Sequence, residues 1–235
     1  MREGRLSRQG PSDVGLLRHW GRKPVEDLAA CPVGGNQKRA FDFILAVVGL
    51  ICLSPIAGFI SILIKLGDGG PVLYRHKRIG RNGAEFDCLK FRTMAVNAEA
   101  ILARHLAENE HAADEWRERH KLKTDPRVTP LGTILRKTSV DELPQLLNII
   151  KGEMSMVGPR PIVRAEIVRY GVNIEKYYTA RPGITGIWQV SGRNDTSYHD
   201  RVRLDGEYVT CWTFWRDLII LAKTFRAVVT ARGCY

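Results

Sequence analysis

From Phe43 to Ile64 the chain reads FILAVVGLICLSPIAGFISILI, an apolar run without a single charged residue. As one helix it would measure about 33 Å, against a hydrocarbon core of about 30 Å. The pattern therefore predicts a membrane anchor. The run starts too far along the chain, is too long and lacks the small-residue cleavage pattern that would make it a signal peptide. Ser54-Pro55 falls at its middle, where proline removes a helical hydrogen bond and crowds the preceding turn, which predicts a kink or break there. Lys38 and Arg39 precede the run, and Lys65, Arg75, Lys77, Arg78 and Arg81 follow it. That bias places both ends on the cytoplasmic side and predicts a re-entrant helix-break-helix hairpin. An ordinary kinked transmembrane helix is the competing reading.

Beyond the anchor the period of the pattern changes. Residues 70 to 94 hold two strand-like stretches joined at Asn82-Gly83, a pair that accepts positive φ and predicts a β-hairpin. Residues 95 to 122 read as one charged helix with Ile101, Leu102 and Leu106 inward. His105, His111 and His120 lack the i, i+4 spacing of a helical metal pair and read as surface residues. RPGITGIWQVSGRN, residues 181 to 194, reads as a turn and a strand ending in Trp188 and Gln189. Residues 212 to 229 read as an amphipathic helix that either lies in the membrane interface or packs on the core. The predicted class is a helix-rich α/β, monotopic membrane protein in three parts: a flexible polar tail (1–37), a Ser-Pro-broken re-entrant membrane helix (38–66), and a small cytosolic catalytic domain carrying the hairpin and ending in the amphipathic helix (67–235).

Composition narrows the partners. The 235 residues are 44% hydrophobic, enough for a real core, and 36 Lys and Arg against 25 Asp and Glu give a formal net charge of +11. An anionic partner is implied: nucleic acid, an acidic membrane surface or a phosphorylated substrate. Neither a recognition helix nor an array of aromatic stacking platforms is evident, which argues against nucleic acid. Cys31, Cys52, Cys88, Cys211 and Cys234 are odd in number and scattered. Neither a disulfide framework nor a zinc site follows, and a reducing compartment fits.

Candidate chemistry gathers in three places. The hairpin carries Lys90 and Arg92 around Phe91, suited to gripping phosphate, while its other basic residues serve lipid headgroups equally well. In SVDELPQ, residues 139 to 145, Ser139 and Glu142 have capping-box spacing. Pro144 fits better if the helix starts near Asp141, so both acids sit at or just before a helix N-terminus, where the macrodipole favours ionised carboxylates. An ionised Asp141 is a candidate nucleophile and Glu142 a candidate magnesium ligand. GPRP at 158–161 presents Arg160 on a stiff backbone, and the later segment offers Arg181 and Arg193, each suited to bidentate phosphate contact or to a plain structural turn. Asp205 reads as a third acid or as an ordinary helix-start aspartate. No GxxxxGK[ST] is present, so a nucleoside triphosphate need not drive the chemistry.

TSVDELPQLLNIIKGEMSMVGPRP, RPGITGIWQVSGRN, the hairpin KRIGRNGAEFDCLKFRTM and the Ser-Pro anchor resemble the monotopic bacterial sugar transferases, the polyprenyl-phosphate phosphoglycosyl transferases. The match covers about residues 38 to 235. Within that family, DGGPV and the RGCY end resemble the short exopolysaccharide-initiating form acting on galactose. The resemblance implies that Asp141 attacks the sugar-linked phosphorus of a UDP-hexose, releases UMP and forms a phosphosugar-aspartyl intermediate, from which undecaprenyl phosphate takes the hexose-1-phosphate. It also implies Mg2+ on Glu142 and a place at the cytoplasmic face of a bacterial inner membrane. The family's Tyr-Val-Glu-Asn-Trp-Ser pattern appears here as YVTCWT, with Thr210 and Cys211 at the altered positions. A membrane-tethered basic scaffold and a nucleotide-sugar hydrolase are the rival functions. Neither the hexose nor an oligomeric state is written in any pattern of residues.

Overall fold

A computed structural model describes residues 33–119, 122–191 and 197–229. Helix α1 spans Gly35–Asp68 and a glycine in left-handed conformation stands at each end, Gly34 and Gly69. Pro55 lies inside it without interrupting the helix. The local chemistry explains this: proline withdraws the donor due to the Ile51 carbonyl, and the Ser54 hydroxyl donates to that same carbonyl at 2.8 Å. The proline is plain in the sequence, whereas the repair by its neighbour shows only in the structure.

One face of α1 rests on the rest of the protein along its whole length. Ala46, Leu50 and Leu53 pack with Phe86, Cys88, Leu146, Ile149 and Met154. Ala57, Ile60 and Ile64 pack with Phe91, Leu131, Leu135 and Leu143. The opposite face, including Phe43, Ile44, Val48, Ile51, Phe59, Ile62 and Leu66, is exposed. Both ends are tied down. Lys38 is buried, 2.6 Å from Asp217 Oδ2 and 3.6 Å from Asp42, while Arg39 donates to the Ile149 and Ile150 carbonyls at 2.6 and 2.8 Å. At the far end Asp68 accepts from both terminal nitrogens of Arg92. Lys38 and Arg39, read from sequence as flanking membrane charges, are therefore bonded into the protein.

Strands β1 (Leu73–Ile79) and β2 (Glu85–Phe91) form the expected antiparallel hairpin, in register from Leu73↔Phe91 to Ile79↔Glu85. Asn82 and Gly83 both take positive φ at its turn, 57° and 73°. The single helix expected over 95 to 122 is two, α2 (Ala98–Glu108) and α3 (Glu110–Arg119). Asn109 divides them: its backbone is extended and its side chain accepts from Ala112 N, restarting the helix. Helix α4 (Pro130–Thr138) is capped by Thr129, whose hydroxyl accepts from Gly132 N at 2.9 Å. Helix α5 (Gln145–Lys151) follows.

Strand β3 (Ser155–Val157) leads into GPRP and pairs in parallel with β4 (Gly183–Thr185). Gly158 and Gly183 are required by contact here, since a Cβ on either would lie within 2.4 Å of facing backbone. Between them come α6 (Ile167–Tyr170) and α7 (Ile174–Tyr178). Trp188 and Gln189, expected at a strand end, lie in a short helix α8 (Ile187–Val190). Helix α9 (Tyr198–Thr210) and α10 (Phe214–Val229) complete the chain. Helix α10 packs on the core, as one of its two expected readings had it: Ile220 is fully buried in the cluster of Val157, Trp188 and Tyr208, while Trp215 and Phe225 are exposed. Met1 to Pro32, including most of the expected N-terminal tail, lie outside the described residues, as do His120 and Arg193.

Candidate active site

Helix α4 ends at Ser139, which takes a left-handed conformation at φ 57° and closes the helix with its backbone N–H. Its hydroxyl makes no cap. The capping-box alternative therefore fails, and the chain instead forms a single 3-10 turn, Val140–Glu142, before Pro144 opens α5. Asp141 and Glu142 thus sit just before a helix, as Pro144 implied, on an irregular backbone that lets neighbouring side chains address one place.

That place is marked by Lys90 at the end of β2. Its ammonium lies 2.6 Å from Glu142 Oε1 and 4.0 Å from Asp141 Oδ2. Asp141 is 9% exposed and Glu142 half-buried. Burial raises the Asp141 carboxyl above its ordinary range, Lys90 opposes the rise, Glu142 adds to it, and Arg136 in the last turn of α4 opposes it. Desolvation is thus the largest influence on this carboxyl. A desolvated carboxylate beside one cation is a stronger nucleophile than one dispersed in water.

Of the expected phosphate-binding residues, only some share this region. Arg160 is exposed, and its guanidinium stacks 5.3 Å from the Trp188 ring centroid, with Arg201 at 4.6 Å from the same ring. Both His76 and Cys88 on the hairpin feel the charges of Lys90 and Arg160. Arg92 lies elsewhere, bonded to Asp68 at the end of α1. Arg181 is also apart: its Nε donates to the Gly152 carbonyl at 2.8 Å, closing the C-terminus of α5 beside Arg39.

Asp205 is neither a loose surface acid nor a member of the dyad. It is 3% exposed, accepts from Tyr170 OH at 2.7 Å and from the Arg160 backbone N–H, and is pushed up to about 7 by burial. Its task is to hold the GPRP backbone. Arg78 supports the same loop, donating to the Pro161 carbonyl at 3.1 Å. The sequence reading missed Tyr170, and its only available signal was an aromatic on the inner face of a short helix.

Among the described residues no group of three or more His, Cys, Asp or Glu could enclose a metal ion. Magnesium binds through one or two carboxylates and completes its shell with water and substrate oxygens, so a single accessible Glu142 fits that mode.

The sequence comparisons agree with this geometry. The family model described as bacterial sugar transferase matches residues 34–231. The exopolysaccharide production protein ExoY of Sinorhizobium fredii is 51% identical over 212 residues, covering 90% of this chain and 94% of that protein. The undecaprenyl-phosphate galactose phosphotransferase of Salmonella typhimurium is 48% identical over 198 residues, 84% of this chain and 41% of the longer relative. The UDP-glucose:undecaprenyl-phosphate glucose-1-phosphate transferase of Caulobacter vibrioides is 37% identical over 207 residues, 85% of this chain and 72% of that protein. The match runs through the anchor, the hairpin, the dyad and the GPRP loop alike, and the chain belongs to the bacterial sugar transferase family.

Proposed function

We propose that this protein transfers hexose-1-phosphate from a UDP-hexose to undecaprenyl phosphate, the first membrane step of exopolysaccharide synthesis. The observation that carries the reading is the Asp141–Glu142 turn with Lys90 against it. In the first half-reaction an Asp141 oxygen forms a bond to the sugar-linked phosphorus, and the bond from that phosphorus to UMP breaks with its electron pair leaving on UMP. In the second, a phosphate oxygen of undecaprenyl phosphate attacks the same phosphorus and the Asp141 carboxylate leaves. One diphosphate replaces another, so no triphosphate is consumed, and the protein's work is positioning and charge neutralisation.

Lys90 holds charge beside the nucleophile and Arg160 supplies a guanidinium to the phosphates. Glu142 would hold Mg2+, which when bound would neutralise charge on the diphosphate. Names of related proteins supply both galactose and glucose as donor sugars, and galactose is the first donor to test.

The fold supports a monotopic attachment at the cytoplasmic face of the inner membrane. Both ends of α1 bond to the same domain, and its middle packs on that domain, whereas a spanning helix would carry its two ends to opposite sides. The exposed apolar face of α1 is then the surface that enters lipid. Such an attachment holds the dyad at the headgroup plane, where a lipid phosphate meets a cytosolic nucleotide sugar.

The test is transfer of radiolabelled hexose from UDP-galactose or UDP-glucose to undecaprenyl phosphate in detergent with magnesium. Label in the organic phase supports the transferase. Free hexose phosphate in the aqueous phase would favour a hydrolase, and no turnover of either donor would favour a basic scaffold.

A further inference from the structure

The hairpin register places Tyr74 opposite Lys90, His76 opposite Cys88 and Arg78 opposite Phe86. Directly opposed residues share a face of the sheet, so Tyr74, His76, Arg78 and Lys90 project from one side. Lys90 reaches Glu142 from that side, and Arg78 holds the Pro161 carbonyl of the loop that presents Arg160. His76 stands between them, half-buried, with its ring edge-on to Tyr74 at 5.9 Å.

The hydrogen bond to Arg78 fixes its chemistry. Arg78 NH2 lies 3.3 Å from His76 Nδ1, and a guanidinium has protons to donate but no acceptor. Nδ1 is therefore the acceptor, the imidazole is neutral, and its proton sits on Nε2. Burial, Arg78, Lys90 and Arg160 all hold the imidazole below its ordinary value, with Glu166 opposing them. Among the described residues no hydrogen-bond partner of Nε2 is found.

We propose that His76 is a phosphate-positioning residue, whose neutral Nε2–H donates to a phosphoryl oxygen bound between Lys90 and Arg160. It deepens the transferase reading and rests on it. A neutral donor fits here because a further positive charge would repel Arg78 and remove the acceptor that orients the ring. The same N–H suits the diphosphate of the nucleotide sugar or the phosphate of the lipid, and kinetics tell them apart.

The experiment compares wild type, His76→Ala and His76→Gln as full-length protein in detergent, measuring KM and kcat separately for UDP-hexose and undecaprenyl phosphate, with direct binding of UMP by calorimetry. His76→Ala raises one of the two KM values by about 10- to 100-fold, the size of one hydrogen bond to a charged group. His76→Gln restores it to within a few-fold, because the amide oxygen accepts from Arg78 while its N–H faces the phosphate. A raised KM for UDP-hexose with weakened UMP binding assigns the nucleotide sugar, and a raised KM for undecaprenyl phosphate alone assigns the lipid. Unchanged KM values in His76→Ala overturn the proposal, as does a loss that His76→Gln shares in full. Should His76→Ala fail to fold, His76→Gln and His76→Leu are compared by UMP binding and by both KM values. Equal values for these two then overturn the proposal. A wild type without transfer activity would defeat the transferase reading separately, and UMP binding would still test His76.

Discussion

Lys90 Nζ lies 2.6 Å from Glu142 Oε1, bridging the end of the hairpin to the turn before α5. The contact is 30% exposed at the lysine, so its value to stability is modest. The proposed reaction gives it a second use, because the same ammonium is 4.0 Å from Asp141 and is the principal charge opposing that residue's upward shift.

Lys90→Gln therefore lowers kcat by about 10²- to 10³-fold, the usual cost of losing one preorganised charge. The pH profile carries the sharper signature. Removing a cation that favours ionised Asp141 raises the carboxyl further, so the acid limb of the rate profile moves to higher pH in the variant. An acid limb that stays in place would show that Asp141 does not depend on Lys90.

Asp205 gives a stability prediction of unusual sign. Its carboxyl is pushed up to about 7 in the folded protein from an ordinary 3.8, chiefly by burial. Between those values the folded state binds more protons than the unfolded chain, so this group's contribution to stability is present at low pH and is lost as pH rises through about 7. Wild-type thermal unfolding in detergent should show this loss between about pH 4 and pH 7. Asp205→Asn should remove that component of the pH dependence, and it should lower activity through the Arg160 loop that Asp205 holds.

Ser54 repairs the helix at Pro55. Ser54→Ala leaves the Ile51 carbonyl without its donor on an exposed stretch that the proposed attachment places in lipid, where an unsatisfied polar group costs about 1–3 kcal/mol. The unfolding midpoint in lipid nanodiscs should fall, while kcat of the folded fraction is kept. An unchanged midpoint would assign the repair to other groups.

Gln37, in the first turn of α1, and Pro71, just past its end, are both exposed. In a background with the native cysteines replaced by alanine, Gln37→Cys and Pro71→Cys should both react with an impermeant maleimide in inside-out vesicles and neither in right-side-out vesicles. Opposite labelling of the two would establish a spanning helix.

Local features of the chain were legible in the sequence. Asn82-Gly83 specified the hairpin because positive φ is a property of those two residues, and Pro144 located the helix start because it has no N–H to give. Features that depend on distant partners were not legible. Arg39 and Arg181 close the C-terminal end of α5, because orphan carbonyls at a helix end demand donors that no local spacing announces, and Arg92 likewise pairs with a distant group, the Asp68 carboxylate. Asn109 was readable in principle, since its side chain competes with the helix it interrupts. Trp188 was expected at a strand end, but the strand stops at Thr185 and Trp188 lies in α8 after Gly186, whose close approach to the Gly158 carbonyl is again a contact with a distant segment. The rise of Asp141 above its ordinary range came from burial, which a local sequence pattern does not measure.

The central claim is that Asp141 carries the phosphosugar between donor and acceptor. Intact-protein mass spectrometry after mixing the protein with UDP-hexose and magnesium, without lipid acceptor, tests it directly. The expected result is a mass gain of one hexose phosphate mapping to Asp141, release of UMP in equal amount, loss of the adduct on adding undecaprenyl phosphate, and neither adduct nor UMP from Asp141→Asn. Transfer by wild type without an adduct, together with transfer that persists in Asp141→Asn, would contradict it.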